Sequence, residues 1–116
     1  MPYSFDGNAI DIEHEPRLHD GTLWVPLRAV GAAMGGNADW DPDNKVAALY
    51  LGSRIATIKI GDPTVDVDGE KRTLNGEPHV FQGETWVPVR FFSEAMGYSL
   101  GVDLSTNQVD ILTPTS

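Results

Sequence analysis

The chain has no cysteine among its 116 residues. That excludes thiolate catalysis, cysteine-ligated zinc and disulfide staples. It does not assign a compartment, because a core of this size can hold without disulfides in an oxidising space. Positive charge is scarce as well: 8 Lys and Arg stand against 17 Asp and Glu, a formal net charge of −9. Such a surface repels phosphate backbones and anionic headgroups, so no nucleic-acid partner is expected. Long apolar runs are missing too. None approaches the roughly 20 residues that cross a bilayer as a helix, and no membrane insertion is expected. The opening "MPYSFDGNAI" lacks the basic segment and apolar stretch of a signal peptide. The expectation is a cytoplasmic protein or a mature segment of a longer, exported chain. His14, His19 and His79 are isolated from one another. There is no Gly-x-Ser-x-Gly elbow, no phosphate loop and no Gly-x-Gly-x-x-Gly. No catalytic residue, metal or cofactor is expected.

What is present is a repeat. "GTLWVPLRAVGAAMG" at 21–35 returns as "GETWVPVRFFSEAMG" at 83–97, an offset of 62. In that register Trp24 falls on Trp86, Pro26 on Pro88, Arg28 on Arg90, and Gly35 on Gly97. The match extends upstream through Asp6-Gly7 onto Asp68-Gly69 and downstream through Asp41 onto Asp103. A one-residue slip follows, before Val46 and Val109. The sequence therefore reads as a single domain, 1–116, made of two copies of one unit, about 3–51 and 65–113. A strand at about 54–60 joins them, because "RIATIKI" alternates apolar and polar residues.

Each unit carries the same local signals. Asp-Gly turns between short runs mark hairpins. "AIDI" and "KRTL" read as second strands, and "TLWV" and "TWV" as extended segments rich in β-branched and aromatic residues. Pro26 and Pro88 stand where helices can start. Leu27, Val30 and Met34, like Val89, Phe92 and Met96, recur at helical spacing. Gly35 and Gly97 then suit left-handed C-caps. Two short helices are predicted, about 26–35 and 88–97. "WDPDNK" and "DLSTNQ" read as turns before closing strands "VAALYL" and "VDIL". The fold class expected is α+β, mostly antiparallel sheet with two short helices.

These motifs resemble the copper amine oxidase N-terminal-like domain, or stalk domain, of bacterial cell-surface proteins. The segments that carry the resemblance are "DGTLWVPLRAVGAAMGGNADWDPDNKVAAL" and "QGETWVPVRFFSEAMGYSLGVDLSTNQVDIL", which together span nearly the whole chain. The second departs from the pattern, with Val102-Asp103 where the first has Trp40-Asp41. The resemblance implies an exported, often wall-associated protein in which this domain is an accessory for spacing or protein–protein contact. It does not imply oxidase chemistry, since the chain has neither a Tyr in an Asn-Tyr-Asp/Glu context nor a His-x-His pair. A protein partner or self-association is expected; a cell-wall polysaccharide is the alternative partner.

Three groups of residues remain to be placed. Trp24 and Trp86 are expected to fill the space between sheet and helix. Arg28 and Arg90 are expected to pair with carboxylates of their own repeat, Asp41 or Asp103, pinning helix to turn. Trp40 has no counterpart. With Asp39, Asp41 and Asp43 it forms the candidate binding stretch, for a sugar on the ring or calcium on the carboxylates. Against calcium, Asn44 and Tyr50 stand where an EF-hand loop needs Gly and Glu. Asp66, Asp68 and Glu70 read as a solvated sheet edge.

Overall fold

The computed structural model describes residues 2–114. It contains thirteen strands, one short α-helix and one π-helical turn. The strands are β1 Tyr3–Phe5, β2 Asn8–Ile10, β3 Arg17–His19, β4 Thr22–Pro26, β5 Asn37–Asp41, β6 Val46–Leu51 and β7 Arg54–Lys59. They continue as β8 Thr64–Val67, β9 Glu70–Thr73, β10 His79–Phe81, β11 Glu84–Pro88, β12 Ser99–Asp103 and β13 Gln108–Leu112. Helix α1 spans Leu27–Ala33 and the π-helix spans Phe91–Ala95. The fold is α+β and predominantly antiparallel.

Three sheets share one core. The central sheet runs β10-β11-β4-β3, with β4 and β11 antiparallel about Val25 opposite Val87. A five-stranded sheet runs β5-β6-β7-β8-β9 and a four-stranded sheet β12-β13-β1-β2. In the last of these β1 and β13 are parallel, the one parallel pair among the described strands, with Tyr3 opposite Val109 and Phe5 opposite Ile111. Side chains alternate along a strand, so Leu23, Val25 and Val87 point into the common core with Leu27, Val30, Leu49, Ile58, Phe91 and Phe92. No charged or polar residue is buried among the described ones.

Asp-Gly chemistry shapes the hairpins as the sequence predicts. Asp6-Gly7, Asp20-Gly21, Asp68-Gly69 and Gln82-Gly83 all have positive φ at both positions. That is the backbone of the two-residue turn whose twist matches paired strands.

The helices depart from expectation in their bounds. Pro26 is extended, at φ −74° and ψ 120°, and closes β4 rather than entering the helix. Pro88 likewise ends β11. Helix α1 ends where predicted. Gly35 takes φ +92°, and the Gly36 amide donates back to the Gly31 carbonyl at 2.9 Å while the Gly35 amide donates to Ala32 at 3.0 Å. This is the Schellman pattern. The second helix is not α-helical: Met96 donates to the Phe91 carbonyl, five residues back, at 3.2 Å. Phe91 and Phe92 are adjacent and both fully buried, packed edge to face at 5.1 Å. A wider turn brings consecutive side chains closer to one direction, which lets both rings reach the core.

Candidate functional site

Trp24 and Trp86 do not fill the space between sheet and helix. They alternate with the core-facing Leu23, Val25 and Val87 and so project from the opposite face of the central sheet. There Trp24 meets His79 edge-on at 4.7 Å and Trp86 meets His14 at 5.9 Å. The Trp86 indole N–H donates to the Phe81 carbonyl at 2.9 Å. The Trp24 N–H, equally buried, has no partner among the described residues. Sequence reading missed Arg17, whose guanidinium lies 3.9 Å from the Phe81 ring centre and 5.3 Å from that of Trp86. Lone arginines carry no motif, so only the fold reveals this stack.

Arg28 and Arg90 do not pair with Asp41 or Asp103. Both guanidinium groups are exposed. Arg90 reaches only Glu94, at 4.0 Å on the same helical turn, and no carboxylate lies within ion-pair distance of Arg28 among the described residues. The reason is geometric. Each Arg follows a strand-ending proline by two positions, and Asp41 and Asp103 are instead engaged by the amides and side chains of their own turns. The end of the π-helix is instead held by Arg54 of β7, which donates to the Ala95 carbonyl at 3.2 Å. Its guanidinium also lies 3.3 Å from where a side chain on Gly97 would begin. Gly97 itself takes φ +81°.

The two arginines line two clefts at equivalent places. One, about 350 Å³, lies between the start of α1 (Leu27, Arg28), the inner edge of β5 (Ala38, Trp40) and the β10–β11 turn (Gly83, Glu84). The other, about 480 Å³, is lined by Val89 and Arg90, Leu100 and Val102, and Gly21 and Thr22. Every residue of the second group lies 62 positions from its partner in the first. Each cleft is thus closed by a hairpin tip from the other half of the sequence. The chemistry differs between them. Trp40, 46% exposed, is replaced by Val102, Asp39 by Gly101 and Glu84 by Thr22.

The carboxylates of the candidate stretch are not gathered. Trp40 and Asp41 are the last residues of β5 rather than turn residues. Asp41 Oδ1 accepts the amides of Asp43 and Asn44 at 3.0 and 3.3 Å, and Oδ2 accepts the Asn44 side-chain amide at 2.8 Å. These bonds, led by that of the Asn44 side chain, hold the Asp41 carboxyl below the ordinary range. Asp39 and Asp43 are exposed. No group of three metal-ligating side chains occurs among the described residues. At the second hairpin Asp66 accepts the Gly69 amide and the Lys71 ammonium, and Asp68 accepts the Ile55 amide. What the first cleft offers is a half-exposed indole beside the exposed Arg28 and the carboxyl-bearing Glu84. That combination stacks rings and bonds hydroxyls.

The sequence model of the copper amine oxidase N-terminal domain matches residues 4–111. The chain belongs to that family. In copper amine oxidases this N-terminal domain is an accessory to the catalytic part. A relative from Brevibacillus choshinensis, described as a protease inhibitor, is 31% identical over 81 residues. The aligned region is 70% of this chain and 25% of the relative, so the chain spans about a quarter of that protein's length. Among the described residues no helix is long and apolar enough to cross a membrane.

Proposed function

We propose that this copper amine oxidase N-terminal domain is a non-catalytic, load-bearing spacer in an exported bacterial protein held at the cell surface, and that it is built from two copies of one unit, about 3–51 and 65–113. The observation that carries the reading is the parallel pairing of β1 with β13. In a parallel pair the chain enters at one end and leaves at the other. Tension on the two ends therefore shears all the inter-strand bonds together instead of unzipping them one by one. The clamp extends beyond the strands. The Val109 amide donates to the Pro2 carbonyl at 2.7 Å and the Asp6 amide to the Ile111 carbonyl at 2.8 Å. Asp6 Oδ1 and Oδ2 accept the backbone amide and hydroxyl of Thr113, each at 2.7 Å. Forced unfolding is governed by the unfolding barrier, which such a clamp raises.

Single-molecule pulling tests the spacer. Rupture through the two chain ends should need clearly more force than rupture through residue 20 and the C-terminal end, a geometry that bypasses β1. Equal forces in the two geometries would remove the support for a load-bearing role.

A second reading, a module that binds cell-wall polysaccharide, is supported by the exposure of Trp40 within the first cleft. Retention on peptidoglycan or insoluble glycans, lost on Trp40→Ala, would favour it over the spacer alone.

A further inference from the structure

We propose that the cleft between α1, β5 and the β10–β11 turn binds one uncharged pyranose unit of a polysaccharide, its face stacked on Trp40 and its hydroxyls shared between Arg28, Thr85 and the carboxylate of Glu84. The inference rests on the polysaccharide reading and names the place and the class of sugar.

Three observations converge on it. The volume, about 350 Å³, falls within the roughly 300–1,000 Å³ of small-molecule sites. Trp40 supplies a flat apolar face, and it is the one half-exposed tryptophan: Trp24 and Trp86 are 7% and 1% exposed. The same cleft is lined by Arg28 and Thr85, which can donate, and by Glu84, which can accept. A purely apolar occupant would strip water from those groups without replacing its hydrogen bonds. A sugar presents a flat C–H face and a rim of hydroxyls that both give and accept, so it meets both demands.

Charge decides the class. The single guanidinium at the cleft is offset by the Glu84 carboxylate, and the whole chain carries −9. An acidic sugar would enter against that field, whereas a neutral one has nothing to lose. The equivalent cleft serves as an internal control. It has the Arg, but Val102 replaces the indole, Thr22 replaces the Glu84 carboxylate, and Glu94 sits at 4.0 Å from Arg90.

Titration of the whole protein with neutral hexasaccharides of β-1,4-glucose, β-1,3-glucose and β-1,4-N-acetylglucosamine, followed by tryptophan fluorescence and calorimetry, tests the proposal. At least one should bind with Kd below the order of 1 mM. Trp40→Ala and Arg28→Gln should each weaken binding by about tenfold or more, Trp40→Phe should retain most of it, and Arg90→Gln should change it less than about twofold. A galacturonate hexamer should bind about tenfold more weakly than the best neutral oligomer. Unchanged melting temperatures show that the variants are folded. Failure of all three neutral oligomers, survival of binding in Trp40→Ala, or equal affinity for the uronate overturns the assignment. Retention on an insoluble glycan that persists in Trp40→Ala would leave the polysaccharide reading standing and this cleft rejected.

Discussion

The two glycines that follow α1 have different jobs, and substituting each by alanine separates them. Gly35 faces open space, with no atom within 4 Å of an added Cβ, but its φ is +92°. Gly36 has ordinary φ, but an added Cβ would lie 2.5 Å from the Tyr50 carbonyl oxygen, 3.0 Å from Leu51 Cδ1 and 3.2 Å from the Gly31 oxygen. Tyr50 lies in β6 between two paired strands, opposite Asn37 on one side and Ile55 on the other, so its carbonyl cannot swing away. Gly35→Ala should therefore cost only the left-handed backbone penalty, about 1 kcal/mol. Gly36→Ala should cost an overpacking penalty at the upper end of about 1–3 kcal/mol, plus about 1 kcal/mol for the helix-ending bond from its amide to Gly31. At about 4 °C per kcal/mol for a chain of this size, the expected falls in Tm are about 4 °C and about 12–16 °C. Thermal melts followed by far-UV circular dichroism read both values. A Gly36→Ala protein melting within about 2 °C of the parent, or one more stable than Gly35→Ala, would refute the steric argument and with it the close seating of α1 on β6.

Met34 and Met96 are both in the core, 7% and 2% exposed, and Met→Ala at either should cost about 2–5 kcal/mol in chemical denaturation; a loss under about 1 kcal/mol at either position would mean that its side chain is not packed there. The Asp6 carboxyl is held below its ordinary pKa, first by the Thr113 amide and then by the Thr113 hydroxyl. Its contribution is therefore complete above the ordinary carboxylate pKa of about 3.9 and is lost as pH falls through the lower folded value. Asp6→Asn should flatten the acid limb of the stability curve while changing its slope little above pH 6, and an acid limb identical to the parent's would show that the clasp on Thr113 is not formed in solution.

Local chemistry was legible and tertiary direction was not. Asp-Gly pairs and the glycines after Met34 and Met96 require backbone conformations that few residues supply, so hairpins and helix ends could be read directly. "VAALYL" reads as a closing strand after a turn, and β6 spans those residues, Val46–Leu51, with Ala47, Leu49 and Leu51 buried. β3, β5, β10 and β12 went unread. They are only three to five residues long and mostly exposed, so burial imposes no strong alternation on them. The prolines were read as helix openers because their fixed φ suits both a first helical turn and the last residue of a strand. Trp24 and Trp86 were assigned to the wrong face for a related reason. In "LWVP" every position is apolar, so the period of two is invisible until the register is known. The π-helix hides in the same way, since Val89, Phe92 and Met96 at helical spacing predict a helix but not its width. Trp40 stands out because Val102 occupies the position 62 residues on, but that comparison does not bring Glu84, 44 positions further along the chain, to the same cleft.

The opening hairpin of each half lies in a sheet completed by the other half: β1–β2 alongside β12–β13, and β8–β9 beyond β5–β7. Neither half-length sequence can close its own layers. On the proposed two-copy reading, a single unit with this layout would have to dimerise by exchanging those hairpins before its layers could close. A cut in the β6–β7 turn would accordingly leave the pieces on either side of it with unpaired sheet edges and uncovered core faces.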